Sequence, residues 1–176
     1  MRQVNPLDIL ARLRDREARG YRVDERLIRE VKAEGDLFLF TLDDEESFLS
    51  LIWQEIGATR LSTPGGQSRT LRDVAGRMTK KSWTFATLSK PMRFPPTQHD
   101  PAWFESCEKI NSAFDFTAFD LIAVVPAICS ELFQSPRGTF YIYDGVHRTL
   151  VLAHRILSKQ TSYRPIEALL LTPRRV

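Results

Sequence analysis

Leu7, Ile9, Leu10 and Leu13 recur on one side of a helical wheel and predict an opening helix. Asn5 offers a side-chain cap for its free amides, Pro6 suits its first turn, and Gly20 ends it. Asp24 caps a second helix that runs to about Glu34 and stops at Gly35. The apolar run LFLFTL at 37–42 reads as a strand. DDEESFLSLIWQEIG at 43–57 reads as one amphipathic helix, with Phe48, Leu51, Ile52 and Ile56 on its buried face and an acidic first turn at the positive end of its dipole.

Between 59 and 97 the pattern weakens. STPGGQSR at 62–69 reads as a turn or loop. SWTFATL at 82–88 is the best strand candidate, with Trp83, Phe85 and Ala86 or Leu88 on its faces. KPMRFPPTQHDP at 90–101 holds four prolines and cannot continue a sheet interior, so it reads as a loop leading into a helix at 101–112.

The last third is more regular. FDLIAVVP (119–126) predicts a buried strand, AICSELFQ (127–134) a short helix and SPRG (135–138) a turn. TFYIYD (139–144) predicts a strand, VHRTLVLAHRIL (146–157) a helix and YRPIEALLL (163–171) a last strand. Strands separated by helices imply at least one right-handed crossover with parallel pairing, and hence a mixed α/β fold. The chain reads as a single domain, 1–176, made of a mainly helical N-terminal lobe (1–57), a basic, loop-rich middle (58–118) and a regular C-terminal region (119–176).

Composition narrows the function classes. Apolar residues at 43% and charged residues at 27% match a water-soluble globular domain. No apolar run approaches the roughly 20 residues that cross a bilayer, and the first twenty residues lack a secretion signal. Both features point to a cytoplasmic protein without membrane insertion. Cys107 and Cys129 show no CxxC spacing, which excludes a disulfide framework and a structural zinc pattern and predicts two free, buried thiols.

The net charge is only +3, but it is unevenly spread. Residues 24–55 carry ten acids against Arg26, Arg29 and Lys32. Residues 58–96 carry Arg60, Arg69, Arg72, Arg77, Lys80, Lys81, Lys90 and Arg93 against the single acid Asp73. Such a block can attract the phosphate backbone of DNA, with Trp83 and Phe85 interleaved for stacking on bases. Equally, the two blocks can pair with each other, and the aromatics can belong to the core.

TFYIYDGVHRTLVLAHRIL runs from a strand through Asp144 and Gly145 directly into a helix. Gly145 permits a sharp turn and lets a ligand approach without meeting a Cβ. The amides from about Val146 to Thr149 have no partners inside the helix and carry its positive dipole end. His147 and Arg148 add two donors at the same place, an arrangement that favours phosphate or another anion. Val146, Leu150, Ala153 and Leu157 form the side expected to pack on the sheet. His147 and His154 stand about 10.5 Å apart along the axis, too far to share one ion, so His154 reads as a surface or packed residue. Taken singly, Asp144 reads as a turn or cap residue and Arg148 as a surface ion pair.

This segment resembles the signature of the ParB/sulfiredoxin-like superfamily, in which a G-x-[HR]-R turn follows a strand, opens a helix and holds nucleotide phosphates. The likeness covers roughly 119–171, with FDLIAVVP as entry strand, YIYDGVHRT as turn and RPIEALLL as closing strand. It implies a compact mixed sheet with flanking helices. It also implies an ATP site on Gly145, Val146, His147, Arg148 and Thr149. Asp144, His147, Arg148 and Glu131 would then be catalytic, with Asp144 taking Mg2+ or orienting water. Val146 stands where sulfiredoxins place their catalytic cysteine, which argues against sulfinic acid reduction. No helix-turn-helix follows the signature, so a full partition protein is not expected.

The layout resembles plasmid fertility-inhibition factors of the Osa type, which implies ATPase and DNase activity that suppresses conjugative or T-DNA transfer through type IV secretion. The alternatives are an ATP-dependent kinase for a free amino acid, and a non-catalytic inhibitor that binds a secretion or conjugation component.

Overall fold

The computed structural model describes residues 1–19, 23–32, 36–53, 61, 69–90, 101–119, 121–126 and 140–172. The strands are β1 (Arg2–Gln3), β2 (Leu37–Leu42), β3 (Ile52–Trp53), β4 (Arg69–Thr70), β5 (Ile122–Pro126), β6 (Phe140–Asp144) and β7 (Ile166–Leu171). The helices are α1 (Pro6–Ala18), α2 (Glu25–Lys32), α3 (Glu45–Leu49), α4 (Leu71–Lys80), α5 (Phe85–Leu88), α6 (Pro101–Ser112) and α7 (Val146–Leu157), with a 3-10 turn at Phe116–Phe119. The fold is a mixed α/β one, as the alternation of patterns predicts.

Among the described residues the strands form one sheet in the order β1-β2-β7-β5-β6-β3-β4, with two residues described in each outer strand. β5 and β7 are parallel, and the chain between them passes through β6 and α7. β3 and β6 are also parallel, while β2–β7 and β5–β6 are antiparallel. Side chains alternate across the sheet as the period of two requires. Leu37, Leu39, Leu121, Ala123, Leu169 and Leu171 pack with Ile9 and Leu13 of α1 and Leu27 and Val31 of α2. Leu42, Trp53, Ile122, Val124, Ile142, Ala168 and Leu170 pack on the other side, in a larger core with residues of α3 to α7. The result is three layers.

The N-terminal segment therefore does more than supply a helical lobe, since β1, β2 and β3 all lie in the common sheet. Asn5 Oδ1 accepts from the Leu7 amide (2.9 Å) and Asp24 Oδ1 from the Arg26 amide (2.8 Å), so both expected caps are in place. Leu7, however, is 70% exposed, and the buried stripe of α1 is Ile9, Leu13 and Arg16.

Two expectations fail for local reasons. The single helix at 43–57 is instead a one-turn α3, capped by Asp44 through the Ser47 amide (2.8 Å), followed by β3. That bond holds the Asp44 carboxyl below its ordinary value. Phe48, Leu49, Leu51, Ile52 and Trp53 are all buried and Ser50 alone of 48–53 is exposed, which leaves a helix there almost no polar face. The Leu71 amide bonds to the Leu51 carbonyl (2.8 Å), and Ile52 lies between Tyr141 and Thr70 in the sheet. The strand expected at 82–88 is α5. Thr84 and Thr87 form a reciprocal cap, with amide-to-hydroxyl bonds of 3.1 and 2.9 Å, and Phe85 and Leu88 are buried at a helical spacing of three. The loops at 62–68 and 91–100 and the helix and turn at 127–138 fall outside the described residues.

Candidate functional site

The strand, turn and helix around Gly145 form as the pattern predicts. β6 ends at Asp144, Gly145 is the N-cap with φ of 90°, and α7 begins at Val146. Opposite β5, the register steps from Val124↔Ile142 to Ala123↔Asp144, so Tyr143 is the extra residue of a bulge. A bulge re-aims the side chains beside it, and here it sets Asp144 at the mouth of the turn. Gly145 is required twice over. Its φ lies in the left-handed region, and a Cβ there would come within 3.0 Å of Arg148 Nη2 and 3.2 Å of Ile122 Cγ2.

α7 is buried far beyond one stripe: every residue from Arg148 to His154 is buried. It lies between the sheet and helices α4 and α6, whereas Val146 and Leu157, expected to lie among its sheet-facing residues, are only partly buried. His154 is packed, its ring edge-on to Phe85 at 5.3 Å and its Nδ1 buried without a partner. Burial, and then the neighbouring Arg155, hold its pKa below the ordinary value.

The first turn of α7 brings the expected residues together, but not all of them face outward. Thr149 is fully buried, its amide bonded to the Gly145 carbonyl (2.9 Å) and its hydroxyl to the carbonyls of Gly145 and Val146 (both 3.0 Å). It therefore closes the turn instead of offering a donor to a ligand, which corrects its expected role. The amides of Val146, His147 and Arg148 belong to the first turn of α7, at the positive end of its dipole. His147 is partly exposed and stacks on Trp103 of α6 at 4.3 Å between ring centroids. Trp103 in turn meets Trp53 edge-on at 5.7 Å.

Arg148 is 8% exposed and folds back over the turn. Its Nη2 donates to the Leu121 carbonyl and to Asp144 Oδ2, each at 3.3 Å. The sequence reading missed a second guanidinium at this point. Arg16 of α1, 3% exposed, donates from Nη1 to the same Leu121 carbonyl at 3.2 Å and stands 3.9 Å from the same Asp144 oxygen. Its signal was present, because Ile9, Leu13 and Arg16 share one face of α1, and an arginine on a buried stripe calls for a buried acceptor.

The turn brings the backbone start of α7 and the partly exposed His147 together, with Arg148 and Ile122 packed against Gly145. A magnesium ion on Asp144 fits poorly. Two guanidiniums already face that carboxylate, and they would repel a second cation. Among the described residues no three ligating side chains gather into a metal site. Glu131 lies outside the described residues, as does Cys129. Cys107 is a free, buried thiol whose pKa is raised well above its ordinary value by burial and then by Glu108, as suits an inert core residue.

The basic block is only partly on view. Arg60 and Arg93 lie outside the described residues, and Arg69 is seen only as backbone in β4. Arg72 is ion-paired with Glu46, the cross-block pairing weighed above. Arg77 is partly exposed on α4, and Lys80, Lys81 and Lys90 are exposed. Phe85 is 1% exposed and Trp83 packs on the core, so Phe85 belongs to the interior and is not open to a base. No helix among the described residues is long and apolar enough to cross a membrane. The chain matches no protein-family model, no curated protein and no solved structure.

Proposed function

We propose that this chain binds the phosphates of a nucleotide at the turn between β6 and α7. On the resemblance drawn from its sequence, the ligand is ATP. The wider reading is a ParB/sulfiredoxin-like ATPase and DNase that works in the cytoplasm as a fertility-inhibition factor against type IV secretion. The observation that carries the binding reading is Gly145, whose positive φ makes it the backbone N-cap of α7, with the Arg148 guanidinium against it. Phosphates there meet the amides of Val146, His147 and Arg148, the His147 imidazole and the positive end of the helix dipole. No step is assigned to Mg2+, because the described residues give no ligand set for it. Lys80, Lys81 and Lys90 supply exposed charge for a DNA backbone, an attraction that weakens with salt.

The test is isothermal titration of ATP into wild type and Gly145→Val, with circular dichroism as the folding control. Binding by wild type and a loss of tenfold or more in the folded variant support the reading. Equal affinities, or no binding by wild type, would refute it. Phosphate release that rises on adding DNA, and falls in a Lys80→Glu, Lys81→Glu double variant, supports the enzymatic half.

One observation favours a second reading. Arg148 and Asp144 already satisfy each other, as they would in a structural turn. On that reading the chain is a non-catalytic inhibitor that binds a secretion or conjugation component. Transfer suppression retained by Gly145→Val would favour it.

A further inference from the structure

We infer that Arg16 is a positioning residue that frees Arg148 to engage the phosphate. The inference rests on the phosphate site proposed above. Nη2 of Arg148 is bonded to Leu121 and Asp144, and that nitrogen could turn to a ligand only by leaving them. Departure alone would strand a carbonyl and a carboxylate near the base of the turn, a costly outcome for poorly solvated groups. Arg16 changes that. It is already bonded to the Leu121 carbonyl at 3.2 Å, and it needs to close by only about 1 Å to bond Asp144 Oδ2 from its present 3.9 Å.

The two arginines come from opposite layers. Arg16 belongs to α1, whose apolar stripe packs on one face of the sheet, and Arg148 to α7 on the other. They meet where β5 begins and β6 ends, on the adjacent residues Leu121 and Asp144. Arg16 is the deeper of the two. Arg148 Nη2 lies 3.0 Å from the point a Gly145 Cβ would take, so its guanidinium already sits directly against the Gly145 backbone. The geometry thus gives the shallower arginine a short path to a ligand and the deeper one a fixed hold on the shared acceptors.

The full chain is titrated with ATP as wild type, Arg16→Met, Arg148→Met and the double variant, each also unfolded by urea. Arg16→Met should weaken ATP binding by about tenfold, through an arginine that can no longer leave its partners. In the Arg148→Met background the same change should leave the affinity within about twofold, because no arginine remains to be released. Arg16→Lys, which keeps charge but lacks the planar fork, should fall between wild type and Arg16→Met, and it serves as the readout if Arg16→Met does not fold. Lower urea stability with unchanged ATP affinity would reduce Arg16 to a structural residue and overturn the inference. Equal losses in both backgrounds would overturn it too. Absence of binding by wild type would instead remove the phosphate site itself, and this inference with it.

Discussion

Among the described residues two helices cover one face of the sheet, whereas five pack on the other, and the layers differ in more than thickness. The α1–α2 layer buries one side of each helix: α1 keeps Ile9, Leu13 and Arg16 inside and leaves Leu7 in water. In the opposite layer α7 is enclosed by the sheet, α4 and α6, with hardly an exposed residue in its central turns. The thick layer supplies the helix start and most of the core. The thin layer supplies one guanidinium to the same turn. Guanidiniums from both layers thus meet at one end of the sheet, on the Leu121 carbonyl.

The largest contrast should appear in truncations. Phe85→Ala in the thick layer should cost about 3 to 5 kcal/mol, and Leu13→Ala in the thin layer about 2 to 3 kcal/mol, read from urea unfolding. If both layers unfold as one unit, the amides of α1 and α7 will exchange with solvent at the same free energy. Earlier exchange in α1 would show that the thin layer opens by itself. Arg148→Ala comes next, at about 2 kcal/mol, since a charged hydrogen-bond donor is lost while Arg16 still faces Asp144. An effect as large as that of Phe85→Ala would mean that Arg16 does not hold the carboxylate. Gly145→Ala should cost about 1 to 2 kcal/mol for its left-handed backbone and crowded Cβ.

A smaller effect depends on pH. The folded pKa of His154 lies below its ordinary value of 6.5, so the unfolded chain takes up the proton first as pH falls. The stability tied to this residue is complete above 6.5 and is lost as pH drops through that value toward the folded pKa. Melting temperatures of wild type should fall faster over that range than those of His154→Gln. Parallel curves would show that the thick layer tolerates the charged imidazole. Leu7→Ala, on the outer face of α1, should stay within about 0.5 kcal/mol of wild type.

Where the sequence could be read, local signals and tertiary demands agreed. β6, Gly145 and α7 follow from an aromatic strand, a turn residue that tolerates positive φ and a long run of helix formers, so their limits were legible almost to the residue. The segment 43–53 was not, because Phe48, Leu49, Leu51, Ile52 and Trp53 satisfy either period until the sheet claims them. Trp83 to Leu88 mimicked alternation, yet the Thr84–Thr87 cap was strong enough to start a helix. Asp144, Gly145, His147 and Arg148 were legible as one group. The partner of Arg16 was not, since its acceptor lies 105 positions away and the bond exists only once both layers are packed on the sheet. Separation along the chain also hid the stacking of His147 on Trp103, which joins α7 to α6.

The outer strands, two residues each among the described residues, bear on how the molecule behaves in a crowded solution. A sheet border recruits a strand from a neighbouring molecule only if it presents a row of open amides and carbonyls, and two residues give almost no template. Each border here also carries an arginine, Arg2 on one side and Arg69 on the other. At high concentration the protein should thus resist fibril growth through its borders, and a variant that lengthens either one with apolar residues should lose that resistance.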